Sequence, residues 1–355
     1  MTAASAGSLA WRGDGDAGLT GGKGGAEREK PARIPRRIGS LLPAATEIVC
    51  ALGLGDRLVL RSHECDYPPW VAKLPYATVP QVDPSRGSGS IDRDIQALIR
   101  KGLSVYEVDE HALKRAGPQV IITQDQCQVC AVPFERIQDA VERFLDPATR
   151  VLSLSPTDLD AVLDDMARAA RVLGVPQRGE ALVHQLRHQL DELAARVRRE
   201  RAGPPSRVVT LEWLDPVMVG GNWMPELVAM AGGENLLGTP GRHSPVVEWE
   251  EVRQLDPDVL VVVPCGFTLD RTRKEAQEIL PRLPGWAQLS AVQSGRVALV
   301  DGHHYFNRPG PRIVESLETL AQILHGWPRE EGDREGEGDR SAPTRWEWMD
   351  EAGQK

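Results

Sequence analysis

The sequence predicts an α/β protein of two lobes. Three features predict it: strand-like and helix-like segments alternate from about residue 36 to about 328, the alternation occurs twice in the same order, and a continuous helical stretch separates the two runs. At roughly 100–200 residues per domain, the 355 residues accommodate two domains. With 41% hydrophobic residues, both can hold a packed core. The expected boundaries are a disordered leader over 1–35, a first lobe over 36–154, linking helices over 155–203, a second lobe over 204–328 and a disordered tail over 329–355. Both ends are too poor in large apolar residues to offset the entropy of ordering. The tail carries only Trp346 and Trp348 as isolated large aromatics, which leave a short docking segment as the alternative to a solvated tail.

In the first lobe, Arg37 to Leu42 reads as an apolar strand ending at Pro43. Thr46-Glu47 then opens a helix that Gly53 and Gly55 stop. Strands follow at Arg57 to Leu60 and, after Gly117-Pro118, at Gln119 to Thr123, the latter a buried parallel type. From Ser155 to about Arg201, leucines and alanines recur at helical spacing, with Ser155-Pro156 as cap and first residue and a break at Gly174-Val175-Pro176. The second helix, about 25 residues, spans roughly 35–40 Å. So stiff a link favours small rocking of the lobes over wide hinge closure. The second lobe repeats the pattern: a strand at Arg207 to Leu211, an irregular Trp/Pro/Gly segment, a helix around MPELVAMAGG, and a strand at Val259 to Val263 fed by Leu255-Asp256-Pro257-Asp258.

A net charge of -9 argues against nucleic acid or an anionic membrane face as a partner. There is no run of 18 apolar residues, so no membrane span is expected. Met1 to Lys30 holds no apolar run of signal-peptide length. The five cysteines (Cys50, Cys65, Cys127, Cys130 and Cys265) form no disulfide framework and suit a reducing compartment. A cytoplasmic location is therefore expected. No P-loop, nucleophile elbow or GxGxxG after a strand occurs, so no enzyme is expected.

Six blocks carry a resemblance: RIGSLLPAATEIVCALGLGDRLVLRSHECDYP (Arg37 to Pro68), SIDRDI (Ser90 to Ile95), GLSVYEVD (Gly102 to Asp109), TQDQCQVCAV (Thr123 to Val132), LEWLDPVMVGGNWMPELVAMAGG (Leu211 to Gly233) and VDGHHYFNRPGPR (Val300 to Arg312). In order, they resemble the iron-siderophore/cobalamin substrate-binding proteins of ABC importers, and most nearly the cobalamin-binding branch. The resemblance implies two Rossmann-like lobes bridged by a long backbone helix, the class III substrate-binding-protein fold, with a cobalamin-type corrinoid held in the cleft. Haem or a metal-siderophore chelate is the alternative ligand of the same fold. In such relatives acidic residues on the two lobes dock the permease, which singles out Glu47 and Glu226; an intracellular corrinoid-handling protein is the alternative partner.

Several groups could contact such a ligand. Backbone N–H groups at Ala45 and Thr46 open the first helix beyond a strand's C-terminal end, where open α/β sheets bind ligands, although an ordinary helix cap reads the same way. Trp213 and Trp223 offer indole faces, and Gly221 lets backbone approach closely. Tyr67 and Trp70 are a weaker counterpart on the first lobe; Trp249 reads as packing. His303 and His304 could supply an imidazole to cobalt or hydrogen bonds to carboxamides, and Arg308 could pair with a ligand phosphate. Arg312 reads as a local cap. Finally, His63, Cys65, Cys127 and Cys130 form a donor set for zinc or another soft metal, a redox thiol pair, or simply buried small residues.

Overall fold

The computed structural model describes residues 33–101, 103, 105–124, 137, 141, 143, 145–327 and 344–350. Nearly all of the expected leader, with Cys127 and Cys130, lies outside the described residues. Two short strands, β1 (Ile38–Ser40) and β2 (Leu58–Leu60), flank helix α1 (Pro43–Ala51). Proline has no N–H to leave orphaned and its φ is pre-set for the first helical position, so Pro43 starts α1 directly behind Leu42. The expected cap at Thr46 is therefore displaced: Thr46 and Glu47 lie inside the helix, both buried.

An antiparallel ribbon of β3 (Thr78–Pro80) and β4 (Tyr106–Val108) flanks α2 (Ser88–Arg100). Helix α3 (Glu110–Ala116), capped by the Asp109 carboxylate, leads to β5 (Val120–Gln124), and β6 (Arg150–Leu154) completes the lobe. Its sheet runs β2-β1-β5-β6, all parallel, with β1 and β5 wholly buried. Burial on both faces explains why these strands read as continuous apolar runs rather than alternating ones.

The link is the expected helix pair, α4 (Leu159–Val172) and α5 (Pro176–Glu200), broken at Gly174 to Pro176. The cap is Asp158, not Ser155: its carboxylate accepts the Ala161 N–H at 2.8 Å, while the Ser155 N–H goes to Asp165 at 2.9 Å. Serine and aspartate cap about equally well, but Ser155 lies one turn before the helix begins at Leu159, so Asp158 holds the cap position. A Cβ on Gly179 would sit 2.3 Å from Ala170 Cβ, so the glycine lets α5 lie close on α4. Helix α4 packs against α1, whereas α5 packs against a second-lobe helix, α9 (Ile313–His325). One apolar cluster consequently runs from Ile48 through Met166 and Leu186 to Leu317, tying both lobes to the bridge.

The second sheet is built around β7 (Arg207–Leu214), β10 (Val259–Val262) and β11 (Val297–Val300), all parallel. The segment that read as irregular holds β8 (Val217–Val219), which folds back antiparallel on β7, and it leads to α6 (Met224–Met230). A two-residue strand, β9 (Glu234–Asn235), pairs with β7. Helices α7 (Trp249–Leu255) and α8 (Leu269–Ile279) flank β10 in sequence.

The disorder expected of the whole tail does not hold at residues 344–350. There Trp346–Trp348 forms β12, antiparallel to β11 at the sheet edge. Trp346 and Met349 are buried, and Trp346 Nε1 donates to Gln322 Oε1 at 3.1 Å. Composition predicted disorder because the flanking residues are charged; two large apolar side chains and a free sheet edge were enough to dock this short piece.

Candidate functional site

The C-terminal ends of both parallel sheets face the junction of the lobes, and two segments meet there. From the first lobe comes the turn after β2, Ser62 to Tyr67; from the second comes the turn after β11. Asp301, buried at the end of β11, accepts the His304 backbone N–H at 2.8 Å and lies 2.7 Å from His304 Nδ1. This winds Gly302–Phe306 into a single π-helical turn, a form common at functional sites. A Cβ on Gly302 would meet the Pro264 carbonyl oxygen at 2.3 Å, so only glycine fits. The His303 and His304 rings stand edge to face, 4.6 Å apart.

Across the junction, Asp66 Oδ2 lies 2.7 Å from His303 Nε2 and 3.6 Å from His304 Nε2. Its other oxygen accepts from Arg308 Nη1 at 2.7 Å. Arg308 also reaches Glu47 Oε1 at 3.2 Å, and its Nη2 is 2.9 Å from His303 Nε2. Arg312 forks onto the same Glu47, with Nε at 2.8 Å from Oε2 and Nη2 at 2.5 Å from Oε1, and stacks on the Tyr67 ring at 4.1 Å. Burial pushes the Asp66 carboxyl up, but hydrogen bonds from His303 and Arg308 outweigh it and hold the group well below the usual carboxylate range. Burial opposes the charge on both arginines, yet Asp66 and Glu47 overcome it and raise them.

A second contact zone lies at the start of α2. The Ser88 N–H donates to the Glu275 carboxylate, and Arg271 Nη2 donates to the Arg86 carbonyl at 2.8 Å. Phe267 packs with Ile91, Ile95 and Val105, and Trp213 stands T-shaped to it at 5.2 Å. The lobes are thus in direct contact in this structure.

The expected ligand contacts are only partly brought together. Tyr67, His303, His304 and Arg308 converge, and Trp213 stands by the α2 contact. Ala45 and Thr46 are buried in α1, and the Thr46 hydroxyl donates to Cys65 Sγ at 3.1 Å. Trp223 is buried too: its Nε1 donates to the Phe306 carbonyl at 3.1 Å, so it supports the π-helical turn from behind. A Cβ on Gly221 would meet the Arg242 carbonyl oxygen at 2.5 Å; the glycine admits a neighbouring backbone, not a ligand. Trp70 packs over Gly55, just beyond the C-terminal end of α1. Trp249 donates to the Pro284 carbonyl at 2.8 Å and packs as expected.

The soft-metal set fares differently. Cys65 is buried, and burial pushes its thiol up to about 11, so it is a protonated core residue. His63 Nδ1 is 2.7 Å from the Thr78 hydroxyl, and burial lowers the ring's pKa. Cys127 and Cys130 lie outside the described residues. Of the acidic docking pair, Glu47 is buried between two guanidiniums, whereas half-buried Glu226 accepts the Leu159 N–H at 2.8 Å at the head of α4. Arg312 is no local cap, because its partner Glu47 lies 265 residues away. Sequence reasoning passed over Asp66 and Asp301. Asp66 sat in view between Cys65 and Tyr67, but its partner His303 is 237 residues distant.

Residues 104–303, more than half of the chain, match the family described as periplasmic binding protein. The chain belongs to the periplasmic binding protein family. A vitamin B12-binding protein of Vibrio cholerae is 24% identical over 290 residues, covering 81% of this chain and 88% of that one. The crystal structure of the periplasmic vitamin B12 binding protein of Vibrio cholerae superposes with a TM-score of 0.58 at 22% identity, covering 82% of this chain and 97% of that one. A periplasmic heme binding protein from Pseudomonas aeruginosa superposes at 0.62 and 21% identity, covering 83% and 94%. These structures show the fold: the two-lobed class III architecture is borne out. The family match bears out the expectation of a binding protein. The expectation of a cytoplasmic protein is overturned, because membership of a periplasmic binding protein family outweighs an inference from what the first thirty residues lack. Among the described residues, no helix is long and apolar enough to cross a membrane.

Proposed function

We propose that this periplasmic binding protein takes up a cobalamin-type corrinoid at the lobe junction and presents it to an ABC permease. The observation that carries the reading is the pairing of a B12-named relative spanning 81% of the chain with the junction's chemistry. Tyr67 and Trp213 offer aromatic faces there, and His303, His304 and Arg308 offer imidazole and guanidinium donors for peripheral carboxamides and the nucleotide-loop phosphate. Entry requires the Asp66–His303 and Glu47–Arg308 contacts to part, which is the small rocking that a stiff helix pair permits. The exposed edge of Tyr67 and the half-buried Trp213 are positioned to meet the ligand first.

Titration with cyanocobalamin, read by tryptophan quenching and by thermal shift, tests the reading, with hemin in a parallel arm because a structural relative is named for heme. Saturable quenching by cyanocobalamin is expected. A response to hemin alone transfers the reading to haem, and no response to either at high micromolar ligand refutes both.

A further inference from the structure

The three side chains that meet at the centre of the junction have the composition of a metal site. Asp66 comes from the first lobe, and His303 and His304 from the second; one donor atom of each lies within 4.8 Å of the others. We propose that Asp66, His303 and His304 bind a zinc-class divalent transition ion that bridges the two lobes. The proposal does not rest on corrinoid binding, and the two compete: an ion bridging these residues holds closed the contact whose parting admits a corrinoid.

The donor set is two imidazoles and one carboxylate, which suits zinc, cobalt or nickel and not magnesium or calcium. Tetrahedral bonds of about 2.0–2.1 Å place ligand atoms about 3.4 Å apart. The Asp66 to His304 separation of 3.6 Å is already close to that, and the Asp66 to His303 separation of 2.7 Å must widen by less than an ångström. Three protein donors leave a fourth position for water or an exogenous group.

Support behind the ligands is the stronger observation. Asp301, itself buried, holds His304 Nδ1 at 2.7 Å and so directs Nε2 outward at Asp66. A carboxylate behind a histidine in this way fixes tautomer and ring orientation at metal sites. With Nδ1–H donated to Asp301, the His304 Nε2 lone pair faces the Asp66 carboxylate: two acceptors oppose each other, and a cation between them satisfies both. Asp66 is positioned from its other side, because Arg308 Nη1 holds Oδ1 and leaves Oδ2 to the histidines; Arg308 Nη2, 2.9 Å from His303 Nε2, gives up that contact when the ion takes the ring nitrogen. Counted with neutral imidazoles, the carboxylates of Glu47, Asp66 and Asp301 exceed the guanidiniums of Arg308 and Arg312 by one, so the pocket carries a net negative charge to receive a cation. None of the ligands is a cysteine.

The test uses tag-free, full-length protein stripped with a chelator and then titrated with Zn²⁺ or Co²⁺ alone, without corrinoid. One equivalent is expected to bind, with a Co²⁺ visible spectrum of nitrogen and oxygen ligation. His304→Ala and Asp66→Asn should abolish that equivalent. Asp301→Asn should weaken it about 10–100-fold, whereas Cys127→Ser with Cys130→Ser should leave it intact. Circular dichroism establishes that each variant is folded; if one is not, the wild-type Co²⁺ spectrum decides. A thiolate-to-cobalt charge-transfer band, binding undiminished in folded His304→Ala, or no binding by wild type overturns the proposal.

Discussion

Replacing Glu47 by glutamine removes the one carboxylate that holds two second-lobe arginines against the first lobe. Glu47 is about 3% exposed in its side chain, and Arg308 and Arg312 are nearly as enclosed. Glutamine keeps the volume and one acceptor oxygen but leaves Arg312 with a buried charge and, among the described residues, no carboxylate in contact, only the more distant Glu315. Removing one partner of a buried ion pair costs about 3–5 kcal/mol. Arg308 keeps Asp66 at 2.7 Å, so the loss falls mainly on Arg312 and the lower figure, about 3 kcal/mol, applies. For a chain of this size about 2 °C accompanies each kcal/mol, so melting should fall by about 6 °C. Equilibrium denaturation in guanidinium, followed by circular dichroism, measures the change directly. The double variant Glu47→Leu with Arg312→Leu removes both charges and should regain most of the loss, because apolar replacement of a buried pair is often neutral. A Glu47→Gln protein within about 0.5 kcal/mol of wild type, the range of ordinary surface changes, would refute the reasoning. So would a double variant no more stable than the single one.

Gly221→Ala should destabilise by about 1–3 kcal/mol, since its Cβ would press on Arg242 and Ser244 backbone atoms; an unchanged denaturation midpoint would contradict this. Trp346→Ala should cost up to about 3 kcal/mol and release β12, which hydrogen exchange at Asp301, whose N–H donates to the Arg345 carbonyl at 2.9 Å, would detect; full protection there would show that the edge strand is dispensable. The Cys65 thiol, pushed up to about 11 by burial, should resist iodoacetamide at pH 8 in the native protein and react once unfolded; mass spectrometry of the labelled peptide settles it. Burial raises the Glu226 carboxyl, so the folded state binds its proton more tightly than the unfolded one. Stability of wild type relative to Glu226→Gln should therefore fall as pH rises through and above the usual glutamate range, and a difference independent of pH would show that the group is not shifted.

Much of the architecture was legible along the chain. The apolar runs at Gln119 to Thr123 and Val259 to Val263, and the helical spacing from Leu159 to Glu200, are local signals, because burial on both sheet faces or along one helix face leaves a periodic trace in composition. The break at Gly174 to Pro176 was equally plain, and the ordered blocks pointed to the family. Charge misled where structure depends on a neighbour: β12 exists because β11 offers an edge, and no property of the tail by itself announces that edge.

The site divides in the same way. Sequence alone marked Tyr67, His303, His304 and Arg308 as residues beyond strand ends, since chain topology places such loops at the sheet's rim. It could not distinguish Trp213 from Trp223, or a glycine that admits a ligand from one that admits the Arg242 backbone, because each depends on what packs opposite. Only the tertiary structure decided that Asp66 faces the two histidines and that Glu47 is buried between two arginines. Those pairings join residues more than 230 positions apart, and spatial proximity at such separation leaves no mark in local composition; it arises when two sheets and a stiff helix pair bring their strand ends together.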